Sequence, residues 1–159
     1  MRLPTETVIE KYKQNLYAAA FSVCRSPEDS EDAVQDAFIK YHTSVKEFET
    51  EEHLRAWLIR ITVNRAKDIA SSYRRRNSVP LEEYTASVPF ETREESELFT
   101  AVMSLGEKYR TVIHLFYYED YKIEEIAEIL GKSPGAVKSR LSRARQQLKE
   151  MLKEEWNND

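Results

Sequence analysis

The chain has 159 residues with only three glycines and five prolines, and 33% of its residues are charged. This length suits one medium domain or two small ones, and so few turn residues favour long solvated helices over sheets. No stretch approaches the roughly 20 apolar residues of a membrane span, and residues 1–6 do not resemble a secretory signal. The single cysteine, Cys24, excludes an internal disulfide and fits a reducing cytoplasm.

Charge is distributed unevenly along this chain, whose net charge is −4. Residues 61–76 carry five basic and one acidic side chain, and residues 131–153 carry seven and one. Residues 77–130 carry four basic and twelve acidic side chains. Two basic islands in an acidic chain suggest two separate phosphate-facing surfaces, although two solvated helix faces explain the same counts.

Two helices are predicted in the first 45 residues. Apolar residues recur every three or four positions over about 5–25, which predicts the first helix. Ser26 and Pro27 predict the start of the second, as N-cap and first helical residue. The side of this helix that we expect to be buried comprises Ala33, Val34, Ala37, Phe38, Tyr41 and Val45.

The opposite side of the second helix presents an acidic surface. It is formed by Asp32, Gln35 and Asp36, with Ile39 as an exposed apolar residue at its centre. Such a surface repels DNA and suits a basic protein partner. A plain solvated helix face is the alternative on these residues alone.

A third helix is predicted from about Glu52 to Tyr73, after a polar loop at Lys46–His53 that contains one aromatic residue, Phe48. This helix is apolar on two sides, which predicts that it is central to its domain. The remaining polar residues form a narrow stripe along the helix, and three basic residues follow the end of the helix. The stripe and that cluster comprise Arg60, Asn64, Lys67, Ser71, Arg74, Arg75 and Arg76.

Residues 77–95 are rich in acids and contain two prolines, which indicates a linker between two helical domains at 1–76 and 96–155. Further helices are predicted at roughly 93–105, 107–118, 122–130 and 133–155. The predicted fold is therefore all-α: two small helical domains joined by an acidic linker.

Residues 123–141 carry the strongest local signal, a helix-turn-helix. Ala127 is small where two helices cross at a steep angle, and Gly131 tolerates the positive φ of a sharp turn. Ser133 caps the next helix, and Val137 anchors that helix on the first. The spacing of these residues is typical of the motif.

The second helix of this motif has a donor-rich outer face, small near its N-terminus, as readout of the DNA major groove requires. Flanking arginines suit phosphate contacts. A helical hairpin with a solvated basic face is the alternative. The candidate DNA-binding residues are Ser133, Gly135, Lys138, Ser139, Arg140, Ser142, Arg143, Arg145 and Gln146.

The sequence resembles the extracytoplasmic-function sigma factors, minimal two-domain subunits of bacterial RNA polymerase. In the first half the resemblance lies in residues 31–40 (EDAVQDAFIK) and 55–64 (RAWLIRITVN). In the second half it lies in residues 109–113 (YRTVI), 125–131 (EIAEILG) and 137–145 (VKSRLSRAR). The order of these motifs, with an acidic linker between them, makes the combination more specific than each motif alone.

The resemblance implies a role for each surface. It implies that the acidic surface binds core RNA polymerase and that residues 133–146 read the promoter −35 element. The third helix and the preceding loop would then recognise and open the −10 element, with Phe48 contributing to a pocket for an extruded base. Family membership also implies an anti-sigma partner, often membrane-anchored, and a cytoplasmic location.

This chain departs from the family at two places. Gly106 follows Leu105 where family members usually carry proline, so we expect a looser helix start there. Ser71 stands where an arginine is usual, and the basic cluster comes later, at 74–76, which changes the expected −10 contacts.

Two other interpretations compete with a sigma factor. An autonomous transcription regulator would use the same helix-turn-helix, but it gives the acidic surface no purpose. An all-α adaptor or enzyme is the second. His42, His53 and His114 have no metal-ligand spacing with Cys24, and no nucleophile–base pair or phosphate loop is evident. We therefore expect no metal, no cofactor, no catalytic residue and no small-molecule substrate.

Overall fold

A computed structural model describes residues 1–73 and 93–157, with side chains described through residue 72 and from 97 to 153. The described residues form seven α-helices and one π-helical turn, and contain no strand. None of the described helices is both long and apolar enough to cross a bilayer. The helices are α1 (Thr5–Cys24), α2 (Pro27–Thr43), α3 (Glu51–Tyr73), α4 (Arg93–Ser104), α5 (Glu107–Ile113), α6 (Ile123–Leu130) and α7 (Pro134–Asn157), and the π-helical turn is His114–Tyr118.

The junction between α1 and α2 forms as the sequence predicts. Arg25 ends α1 in the left-handed region, at φ 53°. Ser26 is extended, and its hydroxyl accepts a hydrogen bond from the Asp29 amide at 3.2 Å, while Pro27 is the first helical residue. The cap satisfies an amide that the first helical turn leaves without a partner.

Helices α1, α2 and α3 pack together into a first unit, and their apolar side chains belong to one buried core that continues into the second unit. Leu16, Leu54 and Leu58 are completely buried there, as is the Tyr41 side chain. Burial of each such leucine contributes about 2 kcal/mol. The periodicity of the sequence therefore predicts the helices of this core correctly.

The predicted buried side of α2 is correct except at its end. Ala33, Ala37 and Tyr41 are fully buried, but Val45 is 94% exposed. The helix ends at Thr43 with Ser44 as an extended cap, so Val45 lies outside the helical register. The expectation that Val45 is buried was wrong because it assumed one more turn of helix.

Helices α4 to α7 form the second unit, in which α7 packs against α4, α5 and α6. The predicted single helix over 107–118 consists of α5 followed by the π-helical turn, and the Glu119 amide donates back to the His114 carbonyl at 3.1 Å. Such turns are rare and occur often at functional sites. Gly106 precedes α5 without a side-chain cap.

The two units pack against each other. Helix α1 contacts α5 and the π-helical turn, and α3 contacts α6. Sequence patterning predicts two units but gives no sign of this docking. The predicted linker at 77–95 lies mainly outside the described residues, and α4 includes its last three positions.

The turn of the helix-turn-helix gives a direct test of the fold. Gly131 has φ 65°, where a side chain is strained by about 1 kcal/mol. We therefore expect Gly131→Ala to lower the free energy of unfolding by about that amount. Gly135→Ala is the matched control because the added methyl group meets only the Ser133 hydroxyl, at 4.0 Å. Urea unfolding measures both, and equal stabilities would contradict the strained turn.

Candidate nucleic-acid interface

The helix-turn-helix has the geometry that its sequence predicts. Helix α6 ends at Gly131 in the left-handed region, and the Lys132 amide donates to the Ala127 carbonyl at 2.9 Å. The Ser133 hydroxyl accepts from the Ala136 amide at 3.1 Å and so caps α7. Val137 is completely buried and fixes the start of α7 on the rest of the unit.

The outer face of α7 is open to solvent. Most of its candidate residues are exposed, and Arg140 is half-buried. Leu141 and Ala144, on the opposite side, are buried in the core. The helix therefore separates a packed face from an accessible, donor-rich face. The exposed candidates are Ser133, Gly135, Lys138, Ser139, Ser142, Arg143, Arg145 and Gln146.

Two arginines of this face rest against tyrosines. The Arg145 Nε donates to the Tyr117 hydroxyl at 2.6 Å, and its guanidinium lies 5.3 Å from the centre of the Phe116 ring. The Arg143 guanidinium lies beside the Tyr109 phenol and lowers the pKa of that phenol. These aromatic contacts restrict the two guanidinium groups before any ligand binds. Tyr109 lies in the family motif at 109–113, but its contact with Arg143 was not predicted from the sequence, and neither was the contact of Tyr117 with Arg145.

The polar stripe of α3 is on the surface in part. Arg60, Asn64 and Ser71 are exposed, whereas Lys67 is half-buried. Burial lowers the pKa of Lys67, Glu107 of the second unit raises it, and Lys132 and Arg140 lower it further. The predicted cluster at 74–76 lies outside the described residues.

Phe48 lies in the core of the first unit and not on the surface of the loop. Its ring is 4% exposed and lies 5.4 Å from the centre of the Trp57 ring and 6.3 Å from that of Tyr41. Arg2 donates to the Lys46 and Tyr41 carbonyls at 3.1 and 2.7 Å and so fastens the loop before Phe48. The ring therefore supports the loop from below and also lines the adjacent cleft, and its contribution to a pocket for an extruded base stays a prediction.

The acidic surface of α2 is present. Asp32 and Gln35 are exposed, and Ile39 is 60% exposed at the centre. Asp36 accepts a hydrogen bond from the Arg65 Nε at 2.5 Å, so one of the two acidic residues of this surface is paired within the first unit. An exposed pair of this kind contributes little to stability.

The described residues hold no group of three or more potential metal ligands.

Sequence reasoning assigned no role between the units to the polar residues found there, although Arg55 and Arg110 lie in the motifs at 55–64 and 109–113. Glu119 of the second unit is 3% exposed and accepts hydrogen bonds from Arg55 and Asn15 of the first unit. Arg110 is 6% exposed and donates to the Ser22 and Val23 carbonyls, both at 2.8 Å. Their partners lie more than 60 residues away, so no local pattern reveals them.

Two clefts lie along the junction of the units. One, of about 600 Å³, is lined by Lys46, His53 and Arg60 from the first unit and by Glu125 and Glu128 from α6. The other, of about 380 Å³, is lined by Lys67 and Ser71 of α3 and by residues of the second unit that include Lys132 and Arg140. The fold and this interface define a two-unit helical protein with a helix-turn-helix in its second unit.

Comparison with known proteins identifies the family. The sigma-70 region 2 model matches residues 8–78, and the sigma-70 region 4 model matches residues 96–148. RNA polymerase sigma factor SigV of Bacillus subtilis is 33% identical over 87% of this chain and 84% of its own. The ECF RNA polymerase sigma-E factor of Haemophilus influenzae is 31% identical over 91% and 85%.

Two solved structures are similar over nearly the whole chain. Sigma factor RpoE of Bartonella quintana, in complex with the anti-sigma factor NepR, has a TM-score of 0.68 and 29% identity, covering 93% of this chain and 96% of its own. CnrH, in complex with the cytosolic domain of CnrY, has a TM-score of 0.66 and 29% identity, covering 94% and 87%. The chain belongs to the sigma-70 family and, within it, to the extracytoplasmic-function (ECF) sigma factors. It is a transcription initiation factor and not an enzyme.

The contact between Arg143 and Tyr109 predicts a shift that titration detects. A guanidinium favours the adjacent phenolate, so Arg143→Ala should raise the pKa of Tyr109 toward its ordinary value of about 10. NMR titration of the tyrosine rings measures this change. Arg145→Ala is the control, because Arg145 contacts Tyr117 instead. An unchanged Tyr109 titration in Arg143→Ala would contradict the contact.

Proposed function

We propose that the outer face of α7 reads the promoter −35 element. The observation that carries this assignment is an exposed, donor-rich helix face whose position is fixed by the Gly131 turn and by buried Val137. A small residue, Gly135, near the start of α7 permits close approach to base edges, and the long cations further along reach bases or phosphates. Arg145 suits a phosphate contact, since Tyr117 already holds it at the edge of this face.

The first unit engages the −10 element in this proposal. Arg60 and Asn64 are exposed on α3, one turn apart, and suit contacts to the strand backbone. Lys67 extends the same stripe, and the basic cluster at 74–76 continues it in sequence. The loop over 46–50 provides the pocket for an extruded base, with Phe48 and Trp57 as its apolar support.

The acidic surface of α2 binds core RNA polymerase. Asp32, Gln35 and Asp36 offer negative and polar groups around Ile39, and such a surface favours a basic protein partner with an apolar contact at its centre. The Arg65 partner of Asp36 is exposed, so the pair opens at little cost.

An anti-sigma factor is proposed as a further partner. Both similar structures, those of RpoE and CnrH, contain such a partner or a cytosolic domain bound to the sigma factor. Regulation by a protein of this class would hold the chain inactive in the cytoplasm until a signal releases it. The acidic segment at 77–95 would thread through the polymerase channel when the chain is released. The side chains of these residues lie outside the described part of the chain.

Run-off transcription with bacterial core RNA polymerase tests this function directly. On a library of genomic promoters from the source organism, we expect transcripts only when both the core enzyme and this chain are present. Removal of the acidic surface by Asp32→Ala, Asp36→Ala and Ile39→Ala should abolish them, whereas Glu150→Gln, an exposed change on α7, should not. Tight operator binding without polymerase, and no transcripts with it, would favour an autonomous regulator instead.

Substitution of two arginines of α7 distinguishes a contact to a base from a contact to a phosphate. Arg143→Ala should weaken promoter binding by the holoenzyme by about 1–3 kcal/mol and relax preference at one −35 position, if its guanidinium contacts a base. Arg145→Ala should weaken binding equally on all −35 sequences, as a phosphate contact does. Competition among −35 variants of one promoter measures both. Equal losses for Arg143→Ala on every sequence would contradict base readout.

A further inference from the structure

Basic side chains from both units converge on the smaller of the two clefts at the junction. This cleft, of about 380 Å³, is lined by residues of α3, α5 and α7, by the end of α6 and by the turn that follows it. A concave site with an excess of positive charge favours an anion. Its charged residues are four cations and one acid, a net charge of +3: Lys67, Lys108, Lys132, Arg140 and Glu107.

The surroundings of Lys67 indicate that these positive charges repel one another. Lys67 is half-buried, and burial lowers its pKa. Glu107 opposes this effect, whereas the charges of Lys132 and Arg140 lower the pKa of Lys67 further. An anion between these three cations would offset their repulsion and accept hydrogen bonds from them.

Thr111 supplies an independent indication of a ligand. It lines the cleft and is 2% exposed, and its hydroxyl has no hydrogen-bond partner among the described residues. Within a helix a threonine hydroxyl often bonds to the carbonyl four residues earlier, but this hydroxyl does not bond to that of Glu107. Because a buried hydroxyl without a partner is unfavourable, Thr111 is suited to donate to an anion in the cleft.

Charge and volume indicate the class of this anion. A phosphate ester carries about −1.5 to −2 charges at pH 7, so at least two phosphate groups are needed to balance the cleft. Arginine binds phosphate through two parallel hydrogen bonds, and lysine binds it as a point charge. The volume lies within the range of about 300–1,000 Å³ that is typical of small-molecule sites. Ala70 and Leu130 add an apolar wall, against which a sugar or a base can pack.

We propose that this cleft binds the di- or triphosphate group of a small molecule. The four cations contact the phosphate oxygens, and the Thr111 hydroxyl donates one further hydrogen bond. Inorganic polyphosphates and nucleoside di- and triphosphates share this chemistry. Since residues of both units line the cleft, the bound group links α3 to α5 and α7. The site is independent of the proposed function, because binding needs neither promoter DNA nor polymerase.

Isothermal titration calorimetry of the full chain with inorganic triphosphate tests the site. The buffer contains no divalent cation and little salt, because salt screens exposed charges. We expect saturable binding of one triphosphate per chain, and sulfate at the same ionic strength should not compete. Titration with adenosine and guanosine triphosphates distinguishes the two sources. Equal affinities assign the site to the phosphate group alone, and tighter nucleotide binding assigns it to a nucleotide.

Substitution of two exposed lysines tests the contribution of the cations. Lys108→Gln and Lys132→Gln should each weaken triphosphate binding about tenfold, since each removes a hydrogen bond to a charged group. Lys149→Gln is the matched control, because it removes the same charge from an exposed position of α7 that does not line the cleft. Its affinity should equal that of the unmodified chain.

Two threonine substitutions separate binding from folding. Thr111→Val removes a hydroxyl that has no partner within the described residues, so the free energy of unfolding in urea should not fall. Its triphosphate binding should weaken about fivefold, because one donor to the anion is lost. Thr62→Val is the matched control, since the Thr62 hydroxyl is also buried and unpaired in the described chain but lies outside the cleft.

Each result decides the proposal. Stoichiometric binding that weakens in the cleft variants and not in the two controls supports it. The absence of saturable binding of all three triphosphates overturns it, as does equal weakening in Lys149→Gln, which would indicate attraction to overall charge only. Displacement by sulfate shows an adventitious ion only and overturns it too. Unchanged binding in Thr111→Val overturns the role of that hydroxyl. Failure of the proposed function is seen separately, as the absence of run-off transcripts.

Discussion

The buried carboxylate of Glu119 sets how the two halves of this chain face each other. A carboxylate that is 3% exposed is stable only with strong donors around it. Burial raises the pKa of Glu119, but hydrogen bonds from His114, Asn15 and Arg55 outweigh that effect and lower the pKa, so the group stays ionised. Because two of these donors belong to the first unit, ionisation of Glu119 and docking of the units support each other. This contact and the hydrogen bonds of Arg110 to the end of α1 both fix the second unit on the first.

The local features of the chain are the ones that sequence reasoning predicted well. Gly131 adopts the positive φ that the turn requires, Ser133 and Ser26 cap the following helices, and Val137 is buried. Each of these outcomes depends on residues within a few positions, where backbone sterics and hydrogen bonding leave few choices. The helix-turn-helix was therefore readable from spacing alone, and the family comparison agrees with it.

The features that sequence reasoning missed depend on distant residues. Phe48 is a core residue because Tyr41 and Trp57, on two different helices, enclose it. Val45 is exposed because α2 ends at Thr43, and the spacing of the apolar residues does not indicate where the helix ends. The docking of the units rests on Arg110 and Glu119, whose partners are 64 to 104 residues away. Charge patterning indicated two basic surfaces but not that Lys67 of one and Lys132 and Arg140 of the other line a common cleft.

The proposed function gives separate tasks to three surfaces of one small chain: α7 for the −35 element, α3 and its loop for the −10 element, and the acidic face of α2 for the polymerase. Its central claim is that the chain acts as part of that enzyme. Fluorescence anisotropy of a labelled chain titrated with bacterial core RNA polymerase tests this claim most directly. We expect saturable binding at stoichiometric levels, and we expect unlabelled chain to displace the labelled chain. The absence of any association at concentrations where another sigma factor binds the same core preparation would contradict it.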